Sequence, residues 1–218
     1  MPEKLTDIEI RILGSLVEKQ LTTPEYYPLT MHALIAACNQ KSNRDPVVSY
    51  DEDIVMRALD NLREKNLVYL FYGSTSRVVK YKHMLPGVFE LEPPEIAVMC
   101  VMMLRGPQTL GELRGRTDRL YEFSGIGEVQ ETMDGLARRD EPVVVKLERQ
   151  PGQKEARFAH LLAGEIDVES LNAANNKPVP GVSLSAERIE KLEHEVEKLR
   201  SDLTSFRAVF EEFRKQFD

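Results

Sequence analysis

The sequence predicts a mainly α-helical α+β fold, built from two copies of one small domain and a long C-terminal amphipathic helix. Three observations support this: sequence blocks that occur twice, helix and strand patterns that follow the same order in each copy, and a heptad near the C-terminus. Of the 218 residues, 42% are apolar and 30% are charged, which is enough apolar material to bury a core. The predicted domains are residues 1–87 and 88–164, followed by a linker at 165–185 and the helix at 186–217.

Four blocks recur in the same order, with length changes only between them. Residues 5–13 align with 91–99, residues 29–34 with 108–113, and residues 81–85 with 158–162; Val55, Leu59 and Leu62 align with Val129, Met133 and Leu136. A repeat of this kind indicates an internal duplication.

Capping patterns mark the starts of the helices in each copy. Ser, Thr, Asp or Asn before a helix, with Glu three residues later, satisfies backbone donors that have no partner inside the helix. The predicted starts are Thr6 with Glu9, Thr30, Ser49 with Glu52, and Thr109 with Glu112. In the third helix Val55, Leu59 and Leu62 share one face.

β-rich runs close each copy. Residues 67–72 and 77–82 flank a Gly-Ser turn in the first copy, and residues 142–147 and 155–158 flank Pro151-Gly152 in the second. Three helices closed by a β-hairpin in fewer than 90 residues are typical of a winged helix-turn-helix. The sequence therefore predicts two such domains in tandem.

Apolar residues near the C-terminus alternate in spacing between three and four, which is a coiled-coil heptad. The residues predicted to form a homodimer seam are Ile189, Leu192, Val196, Leu199, Leu203, Phe206 and Phe210. Alternatively, the helix folds back on its own domains, and the phenylalanines favour this for its last two turns.

Composition excludes several classes of protein. The longest apolar run, 96–104, is too short to span a membrane, and the acidic N-terminus does not resemble a secretory signal. Cys38 and Cys100 lie far apart within apolar stretches, so both are interpreted as small buried hydrophobic residues of a cytoplasmic protein.

No motif indicates an enzyme, a metal site or a cofactor. His83 and His160 occupy equivalent repeat positions, which favours a role in packing over a single active site. Gly125 and Gly127 match only part of a dinucleotide fingerprint and are interpreted as a turn before a helix. The prediction is a non-enzymatic protein without metal or cofactor.

The third helix of each copy, which commonly enters the DNA major groove, is acidic on its outer face. In the first copy this face carries one arginine against three carboxylates: Arg57, with Asp53, Asp60 and Glu64. In the second copy it carries Gly127, Glu131, Asp134 and Arg138. Such faces repel phosphates, although one arginine can still read a guanine.

Basic residues gather in the first wing, in the loop after the first copy's second helix, and after the second copy's second helix. The candidate contacts to nucleic acid or an acidic partner are Lys41, Arg44, Arg57, Arg77, Lys80, Lys82, Arg114, Arg116, Arg119 and Arg138. The alternative interpretation is ordinary solvated charge.

Several strings resemble the YceH family of bacterial proteins. They are Leu5-Thr-x-x-Glu9 with Leu16-Val-Glu-Lys19, the stretch 38–46, the stretch 104–109, and Gly111-Glu-Leu-Arg114 with Arg116 and Arg119. The resemblance covers about residues 3–165. It implies tandem winged helices in a bacterial cytoplasmic protein and carries over no catalytic or ligand-binding residue.

Two functional hypotheses follow. The first is a regulatory protein that binds DNA as a homodimer, which rests on the winged helices and the heptad. The second is a protein-interaction scaffold, which rests on the acidic third helices and the net charge of −7. A small-molecule enzyme or sensor is a distant third, since the sequence offers no site for one.

Overall fold

The computed structural model describes residues 4–72, 78–149 and 155–164. Across these residues the fold is mixed α+β, with seven α-helices and two small antiparallel sheets. The helices are α1 (Asp7–Thr22), α2 (Met31–Cys38), α3 (Glu52–Glu64), α4 (Leu85–Phe89), α5 (Pro93–Arg105), α6 (Leu110–Thr117) and α7 (Ile126–Ala137). The strands are β1 (Leu29–Thr30), β2 (Val68–Phe71), β3 (Lys80–His83), β4 (Val144–Lys146) and β5 (Phe158–His160). The predicted linker and heptad helix lie outside the described residues.

The duplication is visible in the strand pairing as well as in the element order. In the first repeat, β1 pairs with β3, and Leu29 lies opposite Tyr81. In the second repeat, Gln108 forms an isolated antiparallel bridge with Phe158. Gln108 and Phe158 are the residues that the block alignment matches to Leu29 and Tyr81. The same backbone contact therefore recurs in both repeats.

Three of the predicted helix starts are confirmed. Thr6 and Glu9 form a reciprocal capping box, in which the Thr6 hydroxyl accepts from the Glu9 amide at 3.3 Å and the Glu9 carboxylate accepts from the Thr6 amide at 2.7 Å. Thr109 and Glu112 form the same box before α6. Thr30 caps α2 by accepting from the amide of Ala33.

The predicted start of the third helix is wrong by two residues. The N-cap is Asp51, whose carboxylate accepts from the Ile54 amide at 2.8 Å, and not Ser49. The physical reason lies upstream, because the side-chain amide of Asn39 pairs with both backbone groups of Tyr50 at 2.8 Å. This pairing uses the Tyr50 amide and carbonyl outside the helix, so α3 begins after it.

The apolar core runs through both repeats, which pack into one compact unit. Its centre is the contact of α1 with α5, both of which are buried over most of their length. Cys38 and Cys100 are buried free thiols, as predicted. Burial raises the pKa of Cys38 to about 11 and raises the pKa of Cys100 as well, so both remain protonated and weakly reactive.

Gly14 allows the close approach of α1 and α5. A Cβ at this position would lie 2.9 Å from Cδ2 of Leu104 and 3.1 Å from Cβ of Met103. The Cys100 thiol donates to the Gly14 carbonyl at 3.6 Å, which shows how near the two backbones lie.

We expect Gly14→Ala to lower the free energy of unfolding because the added methyl group has no room. The matched control is Gly115→Ala in α6, where an added Cβ meets open space and the gain in helix propensity is the same. Relative to this control, Gly14→Ala should cost about 1–3 kcal/mol in urea denaturation. Equal effects of the two changes would contradict the close packing of α1 on α5.

Candidate nucleic-acid interface

The hairpin of β2 and β3 presents two chemically different faces. The register pairs Val68 with His83, Tyr69 with Lys82, Leu70 with Tyr81, and Phe71 with Lys80. Since successive side chains of a strand point to opposite faces, Val68 and His83 share the inner face, where both are buried. The outer face therefore carries Tyr69, Phe71, Lys80 and Lys82, a set that we call the hairpin face.

The hairpin face combines exposed aromatic rings with lysines. Tyr69 is 52% exposed and Phe71 is 45% exposed, and Tyr72, just after β2, is 65% exposed. Each of the two ring-bearing strand residues lies directly opposite a lysine. Cross-strand neighbours of this kind have their Cβ atoms about 5 Å apart, so the rings and ammonium groups form one continuous surface. Aromatic rings beside cations are the combination with which proteins stack bases and contact phosphates.

Sequence reasoning found the lysines of this face but missed its aromatic residues. The signal was available, because Val68, Tyr69, Leu70 and Phe71 alternate between aliphatic and aromatic residues. By itself this alternation is also typical of a buried strand. Only the pairing of β2 with β3 shows which side of the strand faces the core. Arg77, which the sequence also assigned to this wing, lies outside the described residues.

His83 holds the inner side of the hairpin against the end of α1 and the segment that follows it. Its Nε2 is hydrogen-bonded to Oε1 of Gln20, and its Nδ1 accepts from the Leu85 amide at 3.3 Å. Its backbone amide donates to the Tyr27 hydroxyl at 2.8 Å. An imidazole with a proton on Nε2 and none on Nδ1 satisfies these contacts. His83 therefore has a packing role, as the sequence predicts, and its contacts are those of a neutral imidazole.

We expect stability to fall as the pH decreases from about 6.5 to about 4. Burial lowers the pKa of His83 and of His160 from 6.5 to about 4. Between these pH values the unfolded chain therefore binds more protons than the folded chain, which favours unfolding. His83 alone should cost about 3 kcal/mol by pH 4. In urea denaturation at several pH values, His83→Gln should reduce this loss. The control, His32→Gln at an exposed position, should leave it unchanged; equal pH profiles for the two variants would contradict the role of His83.

The outer faces of α3 and α7 are exposed and acidic, as predicted. On α3, Asp53, Arg57 and Glu64 are exposed, and Asp60 pairs with Arg63 at 3.0 Å. On α7, Arg138 donates from Nε to the Asp134 carbonyl at 3.0 Å, so it helps to end its own helix. Neither face offers a cluster of cations to a phosphate backbone.

Arg44 is not available to a partner, which corrects its place among the candidate contacts. Its side chain is fully buried and forms a bidentate ion pair with Glu18 of α1, with N–O distances of 2.7 and 3.2 Å. Its Nε and Nη2 also donate to the Ala37 carbonyl. The residue holds the loop after α2 against α1. Lys41, in the same loop, is exposed.

Arg114 and Arg116 lie within α6 and not after it, Arg119 follows it, and the three do not form one exposed patch. Arg114 is exposed, whereas Arg116 is half-buried and donates to the side-chain oxygen of Gln108. Arg119 lies 3.8 Å from Glu18, across the junction of the two repeats. Arg105 at the end of α5, which sequence reasoning missed, donates to Asn43 of the first repeat. Its position beside Arg116 and Arg119 arises only from the packing of α5 on α6.

Within the described residues, no helix is long and apolar enough to cross a membrane. No group of three or more His, Cys, Asp or Glu residues in the same part of the chain is arranged to hold a metal ion.

Comparison with known proteins places the chain in a family. A family model described as "Protein of unknown function, DUF480" matches residues 5–153. A UPF0502 protein of Opitutus terrae is 50% identical over 197 residues, which cover 90% of this chain and 83% of that protein. UPF0502 proteins of Pelobacter propionicus and Geobacter sulfurreducens are 47% and 48% identical, each with 98% of both chains covered. The resemblance to YceH proteins is compatible with these matches, and the chain belongs to the DUF480, or UPF0502, family of bacterial proteins.

Proposed function

We propose that this protein is a non-enzymatic regulator that binds DNA through the hairpin face of its first repeat. The observation that carries the proposal is the pairing of exposed Tyr69 and Phe71 with Lys82 and Lys80 across β2 and β3. In this proposal each repeat is a winged helix, and the β2–β3 hairpin is the wing.

The order of elements supports the winged-helix assignment. Each repeat runs helix, short strand or bridge, two helices and a hairpin, and the short strand pairs with the second hairpin strand. In this arrangement α2 and α3 form the helix-turn-helix. The acidic outer face of α3 makes deep insertion into the major groove unfavourable, because carboxylates would lie against phosphates. The hairpin face then becomes the main contact.

The chemistry of the hairpin face favours contacts to DNA phosphates and stacking on bases of any identity. It does not favour sequence-specific hydrogen bonds to base edges. Lys80 and Lys82 can neutralise phosphates, which supplies affinity that depends on salt. Tyr69 and Phe71 can stack on bases that leave the duplex, at about 1–3 kcal/mol per base. Stacking tolerates any base, so specificity would have to come from a second contact or from a second copy of the chain.

We further propose that the protein acts as a homodimer through the helix predicted at 186–217. A dimer would carry two hairpin faces, which could contact the two half-sites of one DNA operator. A chain that ends after Gly181 is then expected to be a monomer in light scattering, while the full chain is a dimer. An equal mass per particle for both chains would refute dimerisation through this segment.

The experiment that tests the function is a titration of full-length protein onto labelled random DNA, as duplex and as single strand, at low and at physiological salt. Binding should weaken along a straight line of log affinity against log salt, with a slope that counts the phosphates neutralised. Single strands should bind at least as well as duplex, because their bases are open to stacking. No binding of either form at low salt would overturn the proposal.

The alternative is a scaffold that binds proteins, and the acidic outer faces of α3 and α7 specifically favour it. Charge reversals at Asp53 and Glu131, both exposed, should release a basic protein partner while they leave DNA affinity equal or higher. Wing substitutions at Lys80 and Lys82 should leave such a partner bound. Loss of the partner on wing substitution alone would contradict the scaffold interpretation.

A further inference from the structure

A small recess lined by arginines lies where the two repeats meet. Its polar lining is Arg105 of α5, Arg116 of α6 and Arg119 just after α6, with Asn43 and Glu18 of the first repeat. The rest of the lining is apolar and comes mainly from α5. The recess has a volume of about 20 Å³. A recess of this size accepts one small polar group, such as a single oxygen of a phosphate, and the rest of a ligand lies outside it.

The carboxylates near the recess do not balance its arginines. Glu18 is already bound by both terminal nitrogens of Arg44, so its 3.8 Å approach to Arg119 is a secondary contact. Glu112 lies 3.6 Å from Arg116 but accepts closer bonds from Arg157, the shortest at 3.0 Å. Three arginines and one carboxylate line the recess, and Arg44 already pairs with that carboxylate, Glu18.

The positive charges of Arg105 and Arg116 in the recess repel each other. Burial and then the neighbouring charge of Arg116 lower the pKa of Arg105. The hydrogen-bond partners of Arg105 and Arg116 in this region are the side-chain oxygens of Asn43 and Gln108, which carry no charge. An anion in the recess would relieve this repulsion, and guanidinium groups match the oxygens of phosphate with paired N–H donors.

We propose that the recess binds the terminal phosphate of a small phosphorylated ligand through Arg105, Arg116 and Arg119. A terminal phosphate offers three free oxygens to the three arginines, whereas a phosphate within a DNA backbone offers only two, because its other two oxygens carry esters. Because Asn43 belongs to the first repeat and the arginines belong to the second, the ligand stabilises the junction of the repeats. The residues of this site are distinct from those of the hairpin face.

The test is thermal denaturation and calorimetry of the full-length protein with inorganic phosphate, against sodium chloride of equal ionic strength. Phosphate should raise Tm in a saturable manner, and chloride should not. Arg119→Gln removes an arginine whose side chain is 61% exposed, so the fold should survive the change. This variant should bind phosphate about tenfold more weakly, as expected from the loss of one charge-assisted bond.

The matched control is Arg138→Gln, an exposed arginine outside the recess, which should leave phosphate affinity unchanged. Arg105→Lys keeps the charge but loses the paired donors, and should weaken binding less than Arg105→Gln. Equal Tm responses to phosphate and chloride, or full phosphate binding by Arg119→Gln, would overturn the proposal. A loss of DNA affinity in Arg119→Gln, without phosphate binding by the unmodified protein, would assign the arginines to the DNA backbone instead and also overturn it.

Discussion

Replacement of Glu18 by Gln is expected to lower the free energy of unfolding by about 3–5 kcal/mol. Glu18 forms a bidentate pair with Arg44, whose side chain has no exposed surface. Without the carboxylate, the guanidinium remains buried with a full charge and only neutral acceptors such as the Ala37 carbonyl. The cost arises because a charge that has left water must be balanced nearby. Urea denaturation at neutral pH would measure it.

A matched control lies on the surface of α3, where Asp60 and Arg63 form an exposed pair at 3.0 Å. Asp60→Asn should cost less than about 1 kcal/mol, because water already solvates both charges. The double change of Glu18 to Leu and Arg44 to Met should be less destabilising than Glu18→Gln alone, since it leaves no unpaired buried charge. A cost for Glu18→Gln no larger than that of Asp60→Asn would contradict a buried ion pair.

Substitutions on the hairpin face are expected to separate two contributions to DNA binding. Lys80→Ala with Lys82→Ala should flatten the slope of log affinity against log salt by about two, because two phosphates are no longer neutralised. Adding Arg77→Ala should flatten it by about one more. Tyr69→Ala and Phe71→Ala should each weaken binding to single strands by about 1–3 kcal/mol and leave the slope unchanged, since stacking releases no counterions.

The control for this series is Arg57→Ala on the outer face of α3. If the hairpin face is the main contact, this change should leave both affinity and slope close to their original values. A large loss of affinity in Arg57→Ala, together with an unchanged slope in the lysine variants, would place the contact on α3 and overturn the assignment of the hairpin face.

The features that the sequence predicted well depend on neighbours along the chain. The capping boxes at Thr6 and Thr109 use residues three positions apart, so the pattern contains the whole interaction. The start of α3 was misplaced because Asn39 determines it, and Asn39 lies 11 residues before its partner Tyr50. No local pattern encodes that contact.

The sequence by itself determined the recurrence of four blocks, the order of three helices and a hairpin in each repeat, and the acidic outer faces of α3 and α7. It did not predict β1 or α4. Tertiary structure alone decided that Arg44 is buried against Glu18, 26 residues away, although a basic loop residue is usually solvated. It also decided that Tyr69 and Phe71 face outward, and that Arg105 meets Arg116 and Arg119 at the junction. The physical reason is common to all three: burial and charge balance depend on which distant segments pack together, whereas capping and periodicity depend on residues within a turn or two of the chain.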